Sequence, residues 1–132
     1  MATVQVLEEL EVWQMARAFS KEVRQVLLRP CFKDEPGLRH QLKNASGSVM
    51  DNIAEGFGRG SKHEFVNSLT IARGSLVECR SQIYRCADMG FVSPTERQTF
   101  LAASELLLRR ISTLINYLNA TPVKGSKFKN RK

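Results

Sequence analysis

Between Asn52 and Phe65 the chain reads Asn-Ile-Ala-Glu-Gly-Phe-Gly-Arg-Gly-Ser-Lys-His-Glu-Phe, which ends one helix, turns and starts another. Gly56, Gly58 and Gly60 can adopt the positive φ that stops a helix at low cost. Ser61, followed three residues later by Glu64, has the spacing of a capping box that opens the next helix. A chain with this stretch at its centre must contain a helical hairpin, and the apolar pattern on both sides extends that requirement to the whole domain.

After the turn, Phe65, Leu69, Ala72, Leu76, Cys79, Ile83 and Cys86 recur at alternating spacings of four and three, a heptad stripe. A first helix, from about Leu7 to Leu28, repeats it with Val12, Ala16, Phe19, Val23 and Val26. A second, from about Glu35 to Gly56, does so with Leu38, Leu42, Ala45, Val49 and Ile53. The fourth opens with Ser93 as N-cap, Pro94 at the first helical position and Glu96 closing a capping box. Nothing reads as a strand. Connections of about five to seven residues force neighbours to be antiparallel, so the expected fold is an all-α, up-down-up-down four-helix bundle. In the fourth helix Leu101, Leu108 and Ile115 lie beside the row of Leu107, Ile111, Leu114 and Leu118. That width exceeds one core stripe, and the surplus is expected to face another subunit.

The 132 residues suit one domain with a real core. No apolar run is long enough for a membrane span, and the start of the chain lacks the charged-then-apolar pattern of a signal peptide, so a cytoplasmic protein that does not enter membranes is expected. Three cysteines without metal-ligand spacing argue against a disulfide framework and a zinc site, and His40 and His63 stand in no Glu-x-x-His unit, which argues against a di-iron site. No cofactor and no catalytic group are expected. Cys79 and Cys86 fall on the core stripe, Cys31 is expected to be exposed, and Trp13, Phe19, Tyr84 and Tyr117 have the spacing of core and interface packing residues.

The net charge of +7 is unevenly placed: residues 1–119 hold fifteen Lys/Arg and all thirteen Asp/Glu, while Lys124, Lys127, Lys129, Arg131 and Lys132 supply the other five. The expected organisation is a bundle over 1–119 and a basic tail over 120–132. Such a tail fits a polyanion, nucleic acid before membrane, and equally fits a solubilising end. The glycine cluster follows a helix rather than a strand, so it is no dinucleotide or P-loop cradle. The start of the third helix, with Arg59 and Lys62 beside it, is a weaker candidate for phosphate contact.

Asn52-Ile53-Ala54-Glu55-Gly56, the Gly58-Arg59-Gly60-Ser61 turn, Val12-Trp13-Gln14-Met15-Ala16, Ala72-Arg73-Gly74-Ser75-Leu76-Val77-Glu78 and Met89-Gly90-Phe91-Val92 together resemble one bacterial four-helix-bundle family. It includes proteins encoded by intervening sequences of large-subunit ribosomal RNA genes, and its relatives include the accessory variability determinant of diversity-generating retroelements. The resemblance covers roughly residues 7–119. It implies closed pentameric rings and singles out Asn52, Glu55 and Glu78, which carry over here as structural polar residues. In the family a Phe-Pro pair precedes the second helix; here Arg29-Pro30-Cys31-Phe32-Lys33-Asp34-Glu35-Pro36 displaces the proline, so the first loop is expected to be longer or differently kinked. Two functions follow: an oligomeric scaffold that binds RNA or an RNA–DNA hybrid and holds a reverse transcriptase, or a protein–protein adaptor with a solubilising tail.

Overall fold

The computed structural model describes residues 4–122 and is all-α, with helices α1 Glu11–Leu27, α2 Pro36–Arg59, α3 Lys62–Asp88 and α4 Pro94–Ala120, consistent with a four-helix bundle. Among the described residues there is no strand; short 3-10 turns lie at Leu7–Glu9 and Pro30–Asp34. Every stripe position read for the first three helices is buried, from Val12 on α1 through Leu38 on α2 to Cys86 on α3. Contacts between neighbours run in opposite order. Gln41 meets Arg85 and Ser48 meets Ser75. Arg80 meets Ser104 and Arg73 meets Ser112. Between the first and last helices, Glu11 meets Arg110, and Arg29, just past α1, meets Glu96.

Helix ends show where the local pattern holds and where packing overrides it. Ser93 and Glu96 form the full capping box at α4, each side chain meeting the other's backbone N–H. At α3 only half of the box forms: Ser61 Oγ accepts from Glu64 N–H at 3.4 Å, while the Glu64 carboxylate turns to Arg59 at 3.1 Å. Of the three glycines in the turn, only Gly60 takes the left-handed conformation, at φ 78°. α2 continues through Gly56 and Gly58 to Arg59. Gly56 serves close approach instead, since a Cβ there would lie 2.5 Å from Ser68 Cβ. Just past α3 the chain turns at Gly90, φ 76°, with Phe91 N–H donating to Cys86 O and Gly90 N–H to Ala87 O. These two bonds satisfy carbonyls that the helix end would otherwise leave open.

Two expectations need correction. Leu101 and Ile115 are buried within the protomer and Leu108 is half-buried against the core, so that row offers no free face. The apolar surface that α4 leaves uncovered is instead Leu106, 45 % exposed, and half-buried Phe100. The displaced proline of the first loop starts a 3-10 turn that buries Phe32 fully against Phe91, ring centroids 4.8 Å apart. Cys31 in that turn is half-buried and packed on the core rather than exposed.

Candidate functional site

The polar residues named from the sequence fall on the α2–α3 side of the bundle. Asn52 projects from α2 toward the seam with α3, and its Nδ2 donates to Ser48 O and to Ser48 Oγ, both at 2.9 Å. Ser48 Oγ lies 3.0 Å from Ser75 Oγ of α3. A neutral chain of side-chain hydrogen bonds thus crosses the seam. It fixes the register of two helices packed too closely for larger groups, because half-buried polar atoms must find partners. Glu55 and Glu78 stay at the surface. Glu55 meets Arg59 at 3.3 Å. Glu78 lines a shallow recess of about 280 Å3 with His40, Asn44, Ser48 and Ser75.

The two bundle cations expected to meet phosphate are already engaged. Arg59 sits between Glu55 and Glu64, which together outweigh its charge. Lys62 Nζ donates to Thr121 O at 2.7 Å, so it closes the C-terminal end of α4. A cation beside the last carbonyls of a helix is favoured by the helix dipole. The same bond places the start of the C-terminal segment next to the α2–α3 turn. Lys124, Lys127, Lys129, Arg131 and Lys132 lie outside the described residues.

Burial pushes the Cys79 thiol up to about 12, with the Glu78 charge adding to it, and the Cys86 thiol up to about 11. Both are therefore protonated near neutrality and behave as small apolar side chains. Among the described residues no three His, Cys, Asp or Glu side chains come together as a metal site, and no helix is long and apolar enough to cross a membrane.

Two surfaces are not visible in the sequence pattern. Between α1 and α4 lies a groove of about 450 Å3, floored by Phe19, Val26, Phe100 and Leu107 and edged by Met15 and Leu106. On the outer face of α3 and α4 a second cleft, about 500 Å3, is lined by Arg80 and Tyr84 from α3 and by Gln98, Glu105, Leu106 and Arg109 from α4. Tyr84 is 48 % exposed in the protomer, so it is not one of the core residues its spacing allowed for. The available signal was Arg73, Arg80 and Tyr84 falling on one side of a helix whose core stripe lies elsewhere.

The sequence model of one protein family, described as 23S rRNA-intervening sequence protein, matches residues 8–113. No curated protein matches the chain.

Proposed function

This chain belongs to the 23S rRNA-intervening sequence protein family, and from that premise we propose that it is a non-enzymatic, cytoplasmic, oligomeric scaffold that binds RNA or an RNA–DNA hybrid. Its protomer is an antiparallel up-down-up-down bundle and its assembly a homo-pentameric ring. Its context is either a ribosomal RNA intervening sequence or, through the resemblance to retroelement accessory proteins, a reverse transcriptase that it helps to hold. The family's description, tied to a ribosomal RNA gene, supports an RNA-related role, and the reversed order of helix contacts supports the topology.

The observation that carries the reading is the placement of charge. The bundle is near balance, its Arg59 and Lys62 are held by Glu55, Glu64 and Thr121, and the five further cations all follow Thr121. In a ring those segments act together, because neighbouring contacts raise one another's effective concentration. The uncovered Phe100 and Leu106 of the α1–α4 groove support assembly, since an apolar face of this kind is stabilised by a second protomer.

Salt titration of fluorescence anisotropy with RNA, DNA and hybrid probes tests the proposal. Deleting residues 121–132 is expected to flatten the slope of log affinity against log salt by about 0.7 for each single-strand phosphate that the tail neutralises. Equal affinity and slope for both proteins would move the phosphate-binding groups onto the bundle. No binding by either at low salt would leave the adaptor function. Light scattering tests the ring, and a monodisperse mass near 14.9 kDa would end that part of the proposal.

A further inference from the structure

We infer that the outer α3–α4 cleft is a base-stacking subsite for single-stranded nucleic acid, with Tyr84 as its platform and Arg80 and Arg109 as its phosphate-binding groups. This rests on the nucleic-acid reading above and places a second, bundle-borne subsite where that reading had only the tail. A tyrosine 48 % exposed on a helix surface leaves ring surface open to a ligand. Any unstacked base can use such a face, whereas a base inside a duplex cannot reach it. The cleft of about 500 Å3 lies within the range of small-ligand sites, roughly 300–1,000 Å3.

The charges beside Tyr84 are arranged for an anion. Arg80, one turn before it, is fixed by donating to Leu101 O at 2.8 Å and Ser104 Oγ at 2.6 Å, so its guanidinium is held in place before any ligand arrives. Arg109 approaches from α4 with its side chain 72 % exposed. Glu105 is shared between them, 3.7 Å from Arg80 and 3.4 Å from Arg109, so one carboxylate answers two cations and a net positive charge remains. Arg73, about 10 Å further along α3, meets the Ser112 hydroxyl rather than a carboxylate and extends the basic line. Gln98 on the α4 side supplies a neutral donor and acceptor for a base edge. Tyr84, Leu106 and an arginine would serve a protein partner as well. The positive charge left where two arginines share one carboxylate, extended by Arg73, is what favours a phosphate-bearing one.

The test compares full-length wild type, Tyr84→Ala, Tyr84→Phe and Arg109→Ala on a labelled oligouridylate and on duplex RNA of equal length, with oligomer mass measured for each. Tyr84→Ala is expected to weaken the single strand by about tenfold, the low end for removing one ring on which a base stacks, and to leave the duplex unchanged. Tyr84→Phe is expected to bind as wild type, because stacking needs the ring and not the hydroxyl. Arg109→Ala is expected to weaken both probes and lower the salt slope by about 0.7 on the single strand. Wild-type affinity in Tyr84→Ala, or an equal weakening on both probes, overturns the subsite while leaving the tail proposal standing. A changed oligomer mass in Tyr84→Ala overturns it too, by making the face an interface between copies. If wild type binds neither probe, the nucleic-acid reading itself fails, and the subsite with it.

Discussion

Along most of its length the seam between α2 and α3 is closed by small groups, and the seam between α1 and α4 is left open by large ones. In the first, Gly56 packs directly on Ser68 and the hydroxyls of Ser48 and Ser75 meet, with one aromatic pair, Phe57 and Phe65 at 5.9 Å, at the turn end. In the second, Phe19 and Phe100 meet edge to face at 6.2 Å over a groove of about 450 Å3, with ion pairs at its two ends, Glu11 with Arg110 and Arg29 with Glu96. Small side chains let helix axes approach and exclude water. Large ones hold axes apart and leave a groove between them. One hairpin is therefore closely packed, while the opposite side keeps an apolar groove open at the surface.

Large-to-small substitution gives the largest effect. Leu76 on α3 is fully buried, so Leu76→Ala is expected to destabilise by about 2–5 kcal/mol in denaturant unfolding. A change below about 0.5 kcal/mol, the size of an ordinary surface substitution, would mean that α3 does not carry the core.

Adding one methyl group to α2 separates close packing from helix propensity. Gly56→Ala would set a Cβ 2.5 Å from Ser68 Cβ and 3.3 Å from the Phe65 backbone, so the helices must part. The expected cost is about 1–3 kcal/mol. Gly47→Ala, on the same helix, meets nothing within 4 Å and is expected to stabilise by about 0.4–1 kcal/mol, through the unfolded chain. If both variants move stability in the same direction, the contrast between the seams is wrong. Combining Gly56→Ala with Ser68→Gly, which removes the facing Cβ, is expected to recover part of the stability as a measurable coupling.

The hydrogen-bonded chain across the same seam is worth less. Asn52→Ala removes both bonds to Ser48, and an effect of about 1 kcal/mol on thermal unfolding is expected. Nucleic-acid affinity should change only in step with that destabilisation. An Asn52→Ala protein that stays folded and assembled but binds nothing would make Asn52 a ligand-binding residue.

The closed seam was more legible than the open one, for a physical reason. Heptad spacing reports which side chains point inward, and it located the buried stripes of α1, α2 and α3 down to single residues. Caps made by local bonds were legible as well: Ser93 with Glu96 formed as the sequence implied. Spacing does not report how far apart two helices stand. The role of Gly56 therefore depended on Ser68, twelve residues away in sequence, and not on the turn beside it. For the same reason Leu101 and Ile115 looked surplus on α4 and proved buried, while Tyr84 had the spacing of core or interface packing and lies outside the protomer core. The engagement of Lys62 by Thr121 joins residues 59 apart, beyond any local pattern.

The smallest expected effect distinguishes the seams by acid. Glu96, at one end of the open seam, accepts from Arg29 and from the Ser93 backbone, and these bonds hold its carboxyl down to about 2 from an ordinary 4.5. Because the folded value lies below the unfolded one, the pair's contribution is fully present above about pH 4.5 and is lost as pH falls toward about 2. The pair is solvent-exposed, which screens it and keeps the contribution modest. The middle of the α2–α3 seam is bridged by neutral groups, Ser48, Asn52 and Ser75, while the ion pair that joins these helices, Arg59 with Glu64, lies at the turn. Between about pH 4.5 and 2, amide protection, taken relative to the intrinsic exchange rate at each pH, is therefore expected to fall at the α1 C-terminus and the α4 N-terminus before it does so at the middle of α2 and α3. Glu96→Gln, which cannot ionise, should differ from wild type near neutrality and converge with it as pH falls. Simultaneous loss of protection in all four helices, with the variant's difference unchanged across that range, would show that acid acts on the whole bundle and that the Arg29–Glu96 pair holds no seam of its own.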